Sequence, residues 1–145
     1  GLIEQGEGHI VNTASVAGLF SAPFMGPYNV AKYGVVALSE TLCNELAMQQ
    51  TPVGVSVLCP SWVKTKIASS VRNKPGATAE EADALSEFVQ PMIDGGIDPD
   101  LVADRVVTAV KNKEFWIITH DDTPAAVTLR TRSILEGTNP PQLMH

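Results

Sequence analysis

The segment Val53–Cys59 constrains the fold of this chain more than any other stretch of the sequence. It reads V-G-V-S-V-L-C, which is nearly continuous in apolar and β-branched residues. Strands of this kind are typical of parallel sheets that are covered on both faces. A second buried strand is predicted at His9–Ala14, and a helix is predicted between them, from about Tyr28 to Gln49. Strand, helix and strand form a βαβ unit, so the predicted fold class is α/β.

The long helix is expected to bury one stripe and to bring small residues close to a neighbour. The apolar residues that recur at helical spacing, and so predict the buried stripe, are Val35, Leu38, Leu42 and Leu46. The small residues that would allow close approach to the sheet or to a partner helix are Ala31, Gly34 and Ala37.

The second half of the chain predicts further helices around a third strand. Thr78 and Glu81 have the spacing of a capping box, and Asp98-Pro99 is a helix start signal. The predicted elements, in chain order, are a short helix near residues 66–72, a helix over 78–92, a helix over 99–112, a strand over 115–119, a helix from 123 to about 137, and a Pro-rich tail over 138–145 that we expect to be disordered.

Composition argues against several classes of protein. The net charge of −6 and the scattered Lys and Arg argue against a general nucleic-acid binder. No apolar stretch is long enough to cross a membrane, and no signal peptide opens the chain. Cys43 and Cys59 are expected to be reduced, buried thiols, which suits the cytoplasm. The three histidines lack metal-ligand spacing, so no metal is predicted, and His9 and His120 are expected to have exposed structural roles.

Tyr28 and Lys32 stand one helical turn apart, so their side chains project from the same face of the helix. A free phenol is neutral at pH 7, and a neighbouring ammonium favours the phenolate. Ser15, at the end of the first strand, adds a hydroxyl. Ligands of open α/β sheets bind beyond the carboxyl ends of the strands. We therefore expect Ser15, Tyr28 and the segment 60–65 to converge on one edge of the sheet.

Each of these residues also has a structural interpretation. Ser15 could cap the following turn, Lys32 could be a solvated helix lysine, and Thr65 could cap a short helix. Trp62 could line a substrate pocket or simply pack. Phe20 could shape an apolar pocket or contribute to the core or to an interface.

Three segments, in the order in which they follow one another along the chain, resemble the short-chain dehydrogenase/reductase family. They are Gly8–Gly18 with its Ser15, Pro27–Lys32 with its Tyr-x-x-x-Lys motif, and Val55–Thr65 with its Pro-x-x-Val-x-Thr motif. The resemblance implies a Rossmann-like, doubly wound parallel sheet, of which residues 1–137 would be the C-terminal, catalytic and substrate-binding part. Because the chain opens with glycine and lacks a Gly-rich fingerprint, we expect a nucleotide-binding half to precede it and the fragment alone to be inactive.

The resemblance also implies an oxidoreductase that transfers a hydride between NAD or NADP and a carbonyl or secondary alcohol. Tyr28 would be the general acid and base, Lys32 would favour the phenolate and bind the nicotinamide ribose, and Ser15 would orient the substrate carbonyl. The residues that would contact the cofactor are Tyr28, Lys32, Pro60, Ser61, Val63 and Thr65. The substrate pocket would include Ser15, Phe20 and Trp62. Where this chain has Ser61 the family usually has glycine.

Members of the family commonly pair through the helix that carries Tyr-x-x-x-Lys, which implies a homo-oligomer, a dimer or a tetramer. Two alternatives remain open: a catalytically silent binding or assembly module, and an epimerase or dehydratase of the related extended group. The intact Ser15–Tyr28–Lys32 set argues against the first. About eighty residues follow Thr65, whereas the second usually carries a longer substrate domain. Steroids, sugars, acyl thioesters and small ketones are all candidate substrates.

Overall fold

A three-stranded parallel sheet with flanking helices organises the chain in a computed structural model that describes residues 1–66, 87 and 89–142. In chain order the named elements are α1 (Leu2–Gln5), β1 (His9–Thr13), a 3-10 turn (Val16–Gly18), α2 (Gly26–Met48), β2 (Gly54–Cys59), α3 (Pro99–Asn112), β3 (Trp116–Ile118) and α4 (Thr123–Glu136). The predicted α/β fold class is confirmed.

Strand β2 lies at the centre of the sheet and pairs in parallel with β1 on one side and β3 on the other. All of its residues from Val55 to Cys59 are buried, as the apolar run predicts. The register places Thr13 opposite Leu58 and Cys59 opposite Ile118. The carboxyl ends of the three strands are therefore level with one another, and the segments that follow them leave the sheet at one edge.

The predicted elements are confirmed with small shifts at their ends, except where they fall outside the described residues. The short helix near 66–72 and the start of the helix over 78–92 fall there, while residues 89–94 are helical. Two short elements were not predicted, namely α1 and the 3-10 turn. Of the predicted tail, residues 138–142 lie in neither a helix nor a strand, and residues 143–145 lie outside the described residues, so its disorder stays a prediction.

The buried face of α2 agrees with the predicted stripe except at Leu38. Leu46 is buried, and Val35 and Leu42 are half-buried and pack against buried side chains, whereas Leu38 is 63% exposed, so the prediction for Leu38 was wrong. The buried residues of the helix are Asn29, Val36, Ser39 and Leu46. Steps of 100° per residue put Leu38 on a different side of the helix from Val36 and Ser39. Two of the buried residues are polar, so a pattern based on apolar residues alone cannot predict them.

Two groups of apolar side chains connect α2 to the sheet. Near the carboxyl ends of the strands, the buried members are Ala14, Val36, Val57 and Cys59. Near the amino ends, the buried members are Leu46, Val53 and Val55. Phe115 packs against both groups. Burial of apolar surface, which stabilises a fold by ~25 cal/mol per Å², thus fixes the helix that carries Tyr28 along its length.

The chain forms two compact units, residues 1–61 with 105–145, and residues 62–104. In the second unit, Val63 forms a parallel bridge with Ile97, and the Ile97 N–H donates to the Trp62 carbonyl at 3.0 Å. A Cβ added to Gly96 would stand 2.6 Å from that carbonyl oxygen. Glycine at position 96 therefore allows the two segments to pair closely.

A chain of hydrogen bonds crosses the sheet at the amino ends of its strands. The fully buried Ser56 hydroxyl donates to the Glu114 carbonyl at 2.6 Å. Because the Ser56 hydroxyl has one proton and donates it to Glu114, its oxygen must accept the hydrogen bond from the His9 Nε2 at 2.7 Å. Burial lowers the pKa of His9, and the positive charge of Lys113 lowers it further. His9 is half-buried and bonded, which corrects the expected exposed role.

Gly18 lets the 3-10 turn approach α2 at the level of Lys32. A Cβ added to Gly18 would lie 2.6 Å from the Lys32 carbonyl oxygen and 3.0 Å from a Val36 methyl carbon. The first of these neighbours is helix backbone, which has little freedom to move aside. The close approach of the turn to the helix thus requires glycine.

We expect the protein to lose stability as the pH falls through 6.5, the ordinary pKa of histidine. The folded-state pKa of His9 is below that value, so the unfolded chain binds the proton first, and stability present above pH 6.5 declines below it. Urea unfolding at pH 7.5 and 5.5 measures the loss. His9→Gln keeps an N–H donor for Ser56 and does not titrate, so it should lose less. Equal losses in the two proteins would contradict the prediction.

Gly18→Ala should destabilise the fold by ~1–3 kcal/mol, the usual cost of overpacking, because the added methyl overlaps helix backbone. Gly26→Ala is the matched control, since a Cβ at Gly26 would have no atom within 4 Å in the part of the chain that the structure describes. Urea unfolding followed by circular dichroism gives both values. A Gly18→Ala protein as stable as its parent would show that the turn can move away from α2 at no cost.

Candidate active site

Three chain segments meet where the strands of the sheet end. Ser15 follows β1, Pro60 follows β2 and His120 follows β3. The backbone continues to pair past the end of β1, since the Ala14 N–H donates to the Leu58 carbonyl at 2.8 Å and the Val16 N–H to the Pro60 carbonyl at 3.0 Å. The predicted edge thus contains Ser15 and the start of the 60–65 segment in contact.

Ser15 is buried, with 8% of its surface exposed, and its hydroxyl has two partners. The oxygen donates to the Pro60 carbonyl at 3.3 Å and accepts the Ala17 N–H at 3.2 Å. The second bond caps the 3-10 turn, as the structural interpretation of Ser15 predicts. The same bonds hold the hydroxyl at the carboxyl edge of the sheet.

Tyr28 and Lys32 lie together on the first turns of α2. The Lys32 Nζ stands 5.6 Å from the centroid of the Tyr28 ring, a cation–π distance. Nζ also donates to the Thr13 carbonyl at 3.2 Å. Lys32 is therefore bonded to the end of β1, which corrects its interpretation as a solvated lysine. The Tyr28 side chain is 41% exposed, so a ligand can reach it.

Cys59 ends β2 beneath this edge and is fully buried. Burial raises the pKa of its thiol to about 11, although the Ser15 N–H bonded to the sulfur and the Lys32 charge both act in the opposite direction. The thiol therefore stays protonated at neutral pH and is a poor nucleophile. Both cysteines are free; Cys59 is buried, as predicted, whereas Cys43 is half-buried.

His120 was not recognised in the sequence as a site residue. It is half-buried, and its Nδ1 lies 3.3 Å from the Ser61 backbone nitrogen and 2.8 Å from the Thr119 hydroxyl oxygen. The expected exposure of His120 is therefore wrong, whereas its bonds are compatible with the expected structural role. A polar side chain directly after a predicted strand was the available signal, because it must lie at the edge where Ser15 and Pro60 lie.

The remaining predicted residues are placed as follows. Val63 and Thr65 belong to the second unit, where Val63 is half-buried and Thr65 is exposed. Trp62 lies there too and is 39% exposed. A shallow cavity of about 340 Å³ in this unit is lined by Lys64, Thr65, Lys66, Ile93 and Asp94. Phe20 belongs to the first unit and is half-buried, and its N–H donates to the Val16 carbonyl at 3.1 Å.

Neither a metal centre nor a membrane span is found in the part of the chain that the structure describes. Within residues 1–66, 87 and 89–142, no three acidic, histidine or cysteine side chains are grouped so that they could hold a metal ion. In the same ranges, no helix has the length and apolar character needed to cross a bilayer.

Comparison with solved structures gives close likenesses. An NAD complex of a short chain dehydrogenase/reductase from Burkholderia phymatum superimposes with a TM-score of 0.88 and 37% identity, over 99% of this chain and 54% of that one. A variant of actinorhodin polyketide ketoreductase with NADPH superimposes with a TM-score of 0.61 and 28% identity, over 85% of this chain and 49% of that one. The Rossmann-like sheet expected from the sequence is thereby confirmed.

Sequence comparison leads to the same family. The CLA biosynthesis dehydrogenase/reductase of Lactiplantibacillus plantarum is 26% identical over 87% of this chain and 47% of its own length. The chain spans about half the length of the curated relatives it matches. The family model for short chain dehydrogenase matches residues 1–76, more than half of the 145 residues. The chain therefore belongs to the short-chain dehydrogenase/reductase family.

Proposed function

We propose that this protein is an oxidoreductase that transfers a hydride between NAD or NADP and a carbonyl or secondary alcohol. The observation that carries the proposal is the placement of Lys32, whose Nζ contacts the Tyr28 ring and donates to the Thr13 carbonyl. One side chain thus links the helix that bears Tyr28 to the strand that leads to Ser15. Family membership supports the same reaction class.

Tyr28 is the proposed general acid in carbonyl reduction and the general base in alcohol oxidation. Its side chain is 41% exposed at the start of α2, so its hydroxyl is accessible to a substrate oxygen. A general acid must come within hydrogen-bond distance of the atom that it protonates. The phenol would donate its proton to the developing alkoxide oxygen and take a proton back in the reverse direction.

Lys32 is proposed to act on that proton transfer electrostatically. A fixed positive charge near the phenol stabilises the negative charge that the phenol acquires when it gives up its proton. The bond from Nζ to the Thr13 carbonyl, at 3.2 Å, fixes the ammonium against the end of β1. This bond uses one of the three ammonium protons and leaves further donor capacity for a ligand.

Ser15 is proposed to orient the substrate oxygen. Its hydroxyl donates to the Pro60 carbonyl at 3.3 Å, longer than the 2.5–3.0 Å usual for an O–H···O bond. A substrate carbonyl could therefore displace Pro60 at small cost. The Ala17 N–H bond would meanwhile keep the Ser15 oxygen in place.

The residues at this edge fit a nicotinamide cofactor by the chemistry of their donors. The Tyr28 hydroxyl and the Lys32 ammonium, both in the first unit, can bind ribose hydroxyls. The family resemblance assigns further cofactor contacts to the segment 60–65, whose Thr65 is exposed. When bound, the cofactor supplies or accepts the hydride. The two solved relatives hold NAD in one case and NADPH in the other, so the proposal covers both cofactors.

Assembly through α2 is a second part of the proposal. The outward side of the helix exposes Val30 at 74% and Leu38 at 63%, and a Cβ at Gly34 would have no described atom within 4 Å. Exposed apolar side chains beside a glycine suit close packing against another helix. We propose that a second copy of the protein covers this side of the helix, as the family resemblance implies.

Tyr28→Phe should lower the rate of carbonyl reduction at least ~10²-fold in the intact protein, since it removes the proton donor. The measurement is NAD(P)H oxidation with a panel of ketones, steroid ketones, sugars and β-ketoacyl thioesters. Cofactor binding, followed by nicotinamide fluorescence, should persist. Tyr33→Phe is the matched control, because the Tyr33 hydroxyl is buried and has no hydrogen-bond partner among the described residues, so its loss should leave the rate unchanged.

A rate near the parent's in Tyr28→Phe would overturn the role of the phenol. Chiral analysis of the products distinguishes an oxidoreductase from an epimerase, since an epimerase would return the inverted alcohol without net oxidation. Absence of cofactor binding and turnover in the intact protein would favour a catalytically silent assembly module.

Leu38→Glu should shift the intact protein to a smaller species in light scattering, because it would bury a charge at the proposed contact. Leu101→Glu is the control, since Leu101 on α3 is 61% exposed, nearly as much as Leu38. An unchanged mass for Leu38→Glu, or an equal shift for Leu101→Glu, would contradict assembly through this side of α2.

A further inference from the structure

One peptide group at the carboxyl edge of the sheet is hydrogen-bonded at both of its ends. The Pro60 carbonyl accepts the Ser15 hydroxyl at 3.3 Å and the Val16 N–H at 3.0 Å. The nitrogen of the same peptide belongs to Ser61, and it donates to the His120 Nδ1 at 3.3 Å. This peptide therefore connects the segment after β3 to the segment after β1.

The bond from Ser61 defines the protonation state that His120 must have. A backbone N–H can only donate, so the Nδ1 of His120 must present its lone pair and carry no proton. A neutral ring of this kind has its proton on Nε2, and a doubly protonated ring would lack any acceptor for Ser61. The Thr119 hydroxyl, whose oxygen lies 2.8 Å from the same unprotonated Nδ1, must then be a second donor to it.

The planarity of the peptide couples its two ends. The C=O and N–H of one peptide lie in a single plane, so the group can only turn as a whole. A rotation that moved the Ser61 N–H away from His120 would also move the Pro60 carbonyl away from Ser15. Hydrogen bonds at both ends of an amide also polarise and strengthen one another.

We propose that His120 is a positioning residue that holds the Ser15 hydroxyl in place through the Pro60–Ser61 peptide. His120 keeps the plane of the peptide fixed, and the fixed Pro60 carbonyl holds the Ser15 hydroxyl at this edge until a substrate oxygen replaces Pro60 as its acceptor. The positioning of Ser15 by His120 does not depend on the reaction, whereas the effect of this positioning on turnover rests on the proposed function. A misplacement of about 1 Å can cost a large factor in rate, which is why such a residue would matter.

Three variants of His120 in the intact protein test the catalytic consequence. His120→Asn places an amide oxygen near the Nδ1 position, so it keeps the acceptor, whereas His120→Gln has a longer side chain and His120→Ala has no acceptor. We expect kcat to fall about tenfold or more in the Ala and Gln variants and to stay within about threefold of the parent in the Asn variant. The KM for the cofactor should not change. Equal kcat in the parent and the Ala variant, or no rescue by Asn relative to Gln, would overturn the proposal.

A double-mutant cycle with Ser15→Ala tests the route. If His120 acts through Ser15, His120→Ala should lower kcat little further once Ser15 is already Ala. If His120→Ala lowered kcat by the same factor in the parent and in the Ser15→Ala variant, His120 would act elsewhere and the proposal would be overturned.

A structural measurement separates this inference from the proposed function. Amide hydrogen exchange at Ser61 should accelerate in His120→Ala, and a crystal structure of that variant should show the Ser15 hydroxyl turned away from the Pro60 carbonyl. Both results are expected even if no substrate is found. Slow exchange at Ser61 together with an unmoved Ser15 would overturn the positioning role, and it would leave the reaction class to be decided by Tyr28→Phe.

Discussion

Parallel pairing of the central strand is the constraint on which the rest of the structure depends. Strand β2 shares its backbone bonds with β1 and β3, and a slip of one residue in either neighbour would turn all of that neighbour's side chains to the opposite face of the sheet. The register sets Thr13 level with Leu58 and Cys59 level with Ile118. This alignment brings the segments after three separate strands to one edge, where the candidate site lies.

Polar groups inside this apolar sheet are used to connect elements. Ser56 is fully buried on β2 and joins His9 to the Glu114 carbonyl across the sheet. Ser39 is fully buried on α2, where it accepts the Asn12 side-chain amide at 3.0 Å and donates to the Val35 carbonyl at 2.7 Å. A buried hydroxyl without a partner would cost about 1–3 kcal/mol, so these bonds make the register and the seating of α2 specific.

The candidate site combines a rigid support with accessible chemistry. Ser15 is buried and bonded, while Tyr28 stands partly in solvent on the first turn of a helix fixed by its apolar face. Lys32 joins the two parts through the Thr13 carbonyl. Ser15 is therefore both the cap of the 3-10 turn and a candidate for catalysis, and the two roles are compatible because the cap uses the oxygen as acceptor and leaves the proton to donate.

Reasoning from the sequence could identify what depends on local pattern. The apolar run of β2 required a covered parallel sheet, and the spacing of Tyr28 and Lys32 placed both on one side of α2, because strand and helix periodicities are properties of the backbone. Ser15 was found for the same reason, as a residue directly after a strand. Polar contacts decided which side of α2 contacts the sheet and left Leu38 exposed. A pattern of apolar residues could not predict these contacts.

Contacts between distant segments were decided by the tertiary structure alone. His120 and Ser61 are far apart in the sequence, as are Lys32 and the Thr13 carbonyl, and in both pairs a backbone group is one of the partners. Every residue has such backbone groups, so their presence carries no signal in the sequence. The sequence thus determined the sheet, the long helix and the chemistry available at the edge, whereas the packing of three strands side by side decided which backbone atoms those side chains meet.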